Sequence, residues 1–199
     1  MPKDGTATRE RILDAAEVLV IEHGFAATSV DRVLEAADAS KGAFFHHFPS
    51  KTDLGRALVE RYAAADVANL DAALDAVAEV ADPVERALAF LRHFEDRYED
   101  ILKVESGCLY ISVLAERHLA DAEAGGPIRA AVTAWRDGYA ALLREALGDR
   151  ADTVDVDALS DHLFTTFEGA FLLCRSSDDP THMRRQLATF RTLLEALLR

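Results

Sequence analysis

Between Ser40 and Lys51 the chain carries two lysines, two histidines and no acidic residue, in a sequence whose formal net charge is −13. A local excess of cations inside an acidic chain points to anions as the partner, and phosphate is the anion that lysine side chains and free helix N–H groups meet best. Gly42 and Ala43 add little side-chain bulk, so a helix end holding them can approach a base edge or a phosphate closely. Lys51 falls in the first turn of the next expected helix, where the helix dipole disfavours a cation; its placement argues for a phosphate contact.

These residues need short helices to position them. Thr28 precedes an apolar-periodic run, Val30, Val33, Leu34 and Ala37, with Asp31 three residues on, so the spacing predicts a helix capped by Thr28. The chain then turns through Asp38 and Ala39, and Ser40 caps a second helix, Lys41 to about His47. Pro49 closes it, and Ser50 with Asp53 opens another. Two helices of about two turns joined by a turn of three to four residues are a helix-turn-helix, whose second helix enters the DNA major groove. Phe44 and Phe48 form that helix's apolar side. Upstream, Thr6 to His23 is helical with Ile12, Ala16, Leu19 and His23 on one stripe; Gly24 ends it in a left-handed conformation and Phe25 folds back onto the core.

The string SKGAFFHHFPSKTDL resembles the SKGALYHHFPSKEAL-type signature of the tetracycline-repressor (TetR/AcrR) family of one-component transcription regulators, specifically across roughly residues 8 to 56. The resemblance implies an all-α chain: an N-terminal three-helix helix-turn-helix DNA-binding domain, residues 1–54, and a larger helical ligand-binding and dimerisation domain, residues 55–199. It implies a homodimer that binds a double-stranded operator and is released by a small-molecule inducer. Lys41, Gly42, Ala43 and Phe45 match the family's base-reading positions, and Thr28, Ser40, His47 and Lys51 its backbone-contacting ones. Two positions depart from the pattern. Asp38 stands where the family usually has Gly, and Asp tolerates left-handed backbone better than most residues. Phe45 stands where the family often has Tyr, which removes a phosphate hydrogen bond and leaves apolar contact, for instance with a thymine methyl.

With 199 residues, 50% of them hydrophobic, and only 10 Gly and 5 Pro, the chain can bury a substantial core. It has no 18-residue apolar run and no charged-then-apolar leader, so no membrane association is expected and the cytoplasm is the default compartment. Residues 1–60 hold 7 Lys/Arg against 10 Asp/Glu, and residues 61–199 hold 15 against 25. Bulk electrostatics therefore oppose DNA binding, and any binding must come from the local basic island. Nucleophile-elbow, dinucleotide, phosphate-loop and H-x-x-x-H metal motifs are all missing, so no catalytic residue, cofactor or metal is expected.

Downstream, a long helix from Ser50 to about Ala81 is followed by Asp82-Pro83, a cap and first-position proline that start a helix through Leu88, Leu91, Phe94, Tyr98 and Ile101 to a break at Ser106-Gly107. Cys108 to about Leu119 is helical, AEAGGP (122–127) reads as a loop, and Pro127 starts a helix through Trp135 and Tyr139 that ends near Gly148. Val156 to Ser176 leaves little polar face and implies cover from both sides. The last helix repeats Met183, Leu187, Phe190, Leu194 and Leu197, a seam either for a two-fold mate, giving a four-helix dimer interface, or for the chain's own core. Aromatic residues concentrate in this second part. With the resemblance placing the inducer among these helices, Phe94, Tyr98, Cys108, Tyr110, Trp135, Tyr139, Phe167 and Phe171 are the candidate ligand residues. Cys108, after Gly107 at an expected helix N-terminus, is similar to a segment of family members that sense electrophiles or oxidants; a small buried hydrophobe is the alternative.

Overall fold

The computed structural model describes residues 5–104, 108–114 and 122–199, and among them every regular element is helical. Ten α-helices follow in order: α1 Gly5–His23, α2 Val30–Ala36, α3 Lys41–His47, α4 Lys51–Val77, α5 Pro83–Asp96, α6 Tyr98–Val104, α7 Leu109–Leu114, α8 Ala122–Leu147, α9 Val156–Ser177 and α10 Thr181–Leu198. A 3-10 turn, Gly148–Thr153, joins α8 to α9. No described helix is long and apolar enough to cross a membrane. The expected break at Ser106-Gly107 and the end of the piece beginning at Cys108 lie outside the described residues.

The chain forms two compact units, Met1–Ala64 with Gly107–Arg129, and Ala65–Ser106 with Ala130–Arg199. The sequence places a boundary after residue 54, which falls inside the unbroken helix α4. In the first unit α1 packs on α2 and α3, and Ile12, Leu13, Ala16 and Val20 of α1 are buried, as are Val33 of α2, Phe44 of α3 and Leu54 and Leu58 of α4. That stripe is turned one position from the expected one: Leu19 is half-buried and His23 is exposed, 3.7 Å from Glu22. Gly24, at φ +83°, caps α1 by donating its N–H to the Val20 carbonyl, and Phe25 is buried as expected. Arg61 of α4 ties α4 to α1 through Asp14 and Glu17, each at 2.6 Å.

In the second unit α10 packs on α5 and α9. Met183, Leu187, Phe190 and Leu194, with Leu198 rather than Leu197, are buried within this chain, so the seam read from the sequence closes the chain's own core. Glu95 of α5 is buried and receives both Nε and Nη2 of Arg191 of α10, at 2.6 and 3.3 Å. Gly138 lets α8 approach α4 closely: a Cβ there would stand 3.3 Å from Leu74 Cδ1.

Three boundaries differ from those read in the sequence. Residues 122–127 are not a loop; α8 begins at Ala122 and carries Pro127 inside it. Proline there forfeits one bond, to residue 123, close to the helix start where few such bonds are at stake. Helix α5 ends at Asp96 and α6 starts at Tyr98, the Arg97 N–H turning back to the Phe94 carbonyl, at a site with no Gly or Pro to announce the break. Helix α4 stops at Val77 rather than near Ala81. Elsewhere local chemistry holds: Asp82 caps α5 through the Glu85 N–H with Pro83 at the first position, and Ser50 and Asp53 cap α4 reciprocally at 2.7 and 3.1 Å.

Candidate nucleic-acid interface

Helix α3 is fixed at both ends and along one side. Ser40 accepts the Ala43 N–H at 3.2 Å as its N-cap, and Asp38 turns the chain between α2 and α3 at φ +46°, the left-handed geometry expected of it. Phe44 is fully buried and Phe48 nearly so, with ring centroids 5.7 Å apart, which sets the rotation of the helix. The opposite side faces outward: Lys41, Gly42, Phe45 and His46 are exposed, and Ala43 and His47 are half-buried. Phe45 is 53% exposed and stands edge-on to Phe44 at 5.2 Å. Its ring is held outward on a helix whose opposite side is anchored by Phe44 and Phe48.

The cations are engaged. Lys41 Nζ lies 3.1 Å from Asp31 Oδ1 of α2, with both side chains more than two-thirds exposed. Lys51 Nζ donates to the Ala26 carbonyl at 3.2 Å and sits 4.5 Å over the Phe25 ring, which compensates for its unfavourable place at the start of α4. A residue missed by the sequence reading is therefore Asp31, whose carboxylate is Lys41's partner; the spacing to Thr28 had cast it as a capping residue.

Thr28 differs most from expectation. The N-cap of α2 is Ser29, which accepts the Arg32 N–H at 3.2 Å. Thr28 is buried, and its hydroxyl donates between the Leu19 and Gly24 carbonyls at 3.1 and 2.9 Å. Phe25, three residues earlier, is buried as well, and the Thr28 hydroxyl is spent inside.

The candidate ligand residues divide between the units. In the second, Trp135 lies 5.5 Å from Phe94 and 6.1 Å from Phe167, and Phe94 lies 5.4 Å from Phe167. Phe90 connects these rings to Tyr139, on which it stacks at 4.9 Å and 21°. The Trp135 indole N–H donates to Asp66 Oδ1 at 3.0 Å, and Arg136 is held by both oxygens of Asp161 at 2.7 Å. The Tyr139 hydroxyl is buried without a hydrogen-bond partner, and burial alone pushes its pKa far above the ordinary phenol value. Phe171 is buried on α9. Tyr98 is not in the cluster: it is half-exposed at the start of α6, its hydroxyl donating to Glu99 at 3.0 Å. Tyr110 and Cys108 belong to the first unit, where Tyr110 packs edge-on against Tyr62 at 5.0 Å and Cys108 is buried just before α7. Sequence order had put them with the later aromatic residues because nothing local indicates that residues 107–129 return to the first unit.

Helices α9 and α10 also keep apolar side chains outward. Leu172 is 69% and Leu193 63% exposed, with Leu173 and Leu197 less so. Leu173, Leu193, Gly169, Thr166 and His162 line a groove between the two helices. On α9, Leu172 and Leu173 stay exposed among the described residues.

With this geometry in place, the comparisons with known proteins are specific. Residues 12–58 match the family described as bacterial regulatory proteins, tetR family, and residues 83–190 match the tetracyclin repressor-like C-terminal domain. The chain is 28% identical over 186 residues to the transcriptional regulator AcuR of Cereibacter sphaeroides, covering 90% of this chain and 82% of that one. It is 30% identical over 140 residues to the HTH-type transcriptional repressor NemR of Escherichia coli, covering 70% and 67%. A crystal structure of a TetR transcriptional regulator from Chloroflexus aurantiacus is similar at a TM-score of 0.77 and 26% identity, covering 96% of this chain and 95% of that one.

Proposed function

The chain belongs to the tetR family of bacterial regulatory proteins, transcriptional regulators rather than enzymes, and on that premise we propose that it is a homodimeric repressor that reads a pseudo-palindromic operator with α3. The observation that carries this reading is the presentation of α3: Phe44 and Phe48 lock it to the core while Lys41, Gly42 and Phe45 face outward from its first turns. Lys41, Gly42, Ala43 and Phe45 meet base edges, and Ser40, His47 and Lys51 meet the backbone. Thr28 acts from inside, by fixing the start of α2. Two copies of α3 enter successive major grooves about 34–36 Å apart. The outer faces of α9 and α10, with Leu172 and Leu193, meet their two-fold mates, and a small hydrophobic molecule at the Phe94–Trp135–Phe167 cluster favours a dimer geometry that no longer fits the operator. The buried position of Cys108 favours a packing role over thiol sensing.

Retardation of fragments from the protein's own upstream region, with random-DNA competitor and across a salt series, tests the reading. A competitor-resistant complex of two chains per site is expected, with Lys41→Ala reducing affinity and relaxing base preference and Lys51→Ala weakening all sequences alike. Equal losses on operator and random DNA for both variants would sink the assignment.

A further inference from the structure

The Tyr139 hydroxyl is the one polar group of the aromatic cluster left without a partner. The indole N–H of Trp135 is taken by Asp66, and the guanidinium of Arg136 by both oxygens of Asp161. Tyr139 itself is fully buried, stacked on Phe90, with no hydrogen-bond partner for its oxygen. No charged group contributes to the upward displacement of its pKa, which burial alone produces. A buried donor left unmade costs about 1–3 kcal/mol, so a native core keeps one where something else satisfies it. The face of the Tyr139 ring lies against Phe90. Trp135 and Phe167, half-buried, form the outer edge of the cluster, and Trp135 stands one helical turn from Tyr139 on α8. Entry of a ligand requires those two side chains to rotate, which for Trp135 exchanges the indole bond to Asp66.

We infer that this cluster takes a small, planar, uncharged molecule carrying a hydrogen-bond acceptor, its ring among Phe90, Phe94, Trp135 and Phe167 and its acceptor oxygen on the Tyr139 hydroxyl. The inference rests on the ligand-responsive reading above and adds the chemical class. An anion is disfavoured because it would be desolvated among rings, with Arg136 already held by Asp161. An acceptor is required because the donor is already there, and one neutral hydrogen bond, with relief of the unmade one, corresponds to about a tenfold gain in affinity.

Calorimetric titration of the full-length protein, without DNA, with acetophenone, ethylbenzene and benzoate tests this, with the emission of Trp135, the chain's single tryptophan, reporting location. Acetophenone should bind about tenfold tighter than ethylbenzene and change Trp135 emission, and benzoate should not bind. Tyr139→Phe keeps the ring that stacks on Phe90; it should abolish the preference for the ketone, leave ethylbenzene unchanged and leave the melting temperature the same or higher. An unchanged ketone preference in Tyr139→Phe, benzoate binding equal to acetophenone, or no binding of either neutral probe would overturn the proposal. So would a melting temperature lowered by several degrees, since the hydroxyl would then already be bonded. Because DNA is absent from the titration, failure here is separate from failure of the repressor reading, which operator retardation decides.

Discussion

Arg191→Met isolates the energetic weight of the one ion pair built on a buried carboxylate among the described pairs. Glu95 is 8% and Arg191 25% exposed at the side chain, and the contact is two-pronged, at 2.6 and 3.3 Å. Removing one partner of a fully buried pair costs about 3–5 kcal/mol, because the remaining charge is left in low dielectric. Arg191's exposed side lets water reach the site, which reduces the expected cost to about 2–3 kcal/mol. In a chain of this size each kcal/mol moves the melting temperature by about 2–4 °C, so Arg191→Met should melt roughly 4–12 °C lower. Glu95→Leu should cost less, since the stranded guanidinium can turn to solvent, and the Glu95→Leu/Arg191→Met double variant should return to within about 1 kcal/mol of the parent. Thermal and urea unfolding followed by far-ultraviolet circular dichroism reads all three. If Arg191→Met fell within about 0.5 kcal/mol of the parent, or Glu95→Leu cost as much as Arg191→Met, the argument from an uncompensated buried charge would be wrong.

The two adjacent phenylalanines of α3 should separate stability from binding. Phe44→Ala is expected to cost about 3–5 kcal/mol, while Phe45→Ala should stay within about 0.5 kcal/mol by thermal melting yet weaken operator retardation. Thr28→Val removes the hydroxyl shared by the Leu19 and Gly24 carbonyls and should destabilise by about 1–2 kcal/mol without altering the salt slope of DNA binding. His93 has its pKa lowered from 6.5, first by burial and then by Arg97, so the folded state binds its proton less readily than the unfolded state does. Stability should accordingly fall as pH drops below about 6.5, and His93→Gln should flatten that part of the melting-temperature profile; an unchanged profile would remove His93 from the account.

What the sequence disclosed was set by chemistry within about four residues. Ser40, Ser50 with Asp53, Asp82-Pro83, Gly24 and the left-handed Asp38 each fix a helix end through their own backbone neighbours, and all of them stand where the residue types put them. Where the deciding contact is distant, the reading slipped. Thr28 and Ser29 are both plausible caps, and which hydroxyl is turned inward is settled by the distant carbonyls of Leu19 and Gly24 that Thr28 reaches. The α10 stripe has the same period whether it faces α5 and α9 or another molecule, and periodicity carries no name for the partner. Tyr110 and Cys108 follow the second unit's helices in order yet belong to the first, a consequence of chain return that no local pattern records. The aromatic cluster was half legible: ring types were visible, but Phe90 as the link and Asp66 as the indole's partner required the assembled helices.

The engaged lysines bear on how so acidic a chain would discriminate among DNA sequences. On the proposed reading, Lys41 leaves Asp31, and Lys51 leaves the Ala26 carbonyl and the Phe25 face, before either meets DNA. The exposed Lys41–Asp31 pair is worth about 0–1 kcal/mol and a cation over a ring about 0.5–1 kcal/mol, so each lysine contact with DNA is an exchange whose net gain is small. Random DNA offers only that exchange, against a protein of charge −13, and is held weakly. An operator adds base-edge and methyl contacts that involve no such loss, through Gly42, Ala43 and the outward ring of Phe45. Internal pairing of the cations takes the same amount from both terms: it keeps non-specific binding weak, while the difference between operator and random DNA comes from the base-edge and methyl contacts.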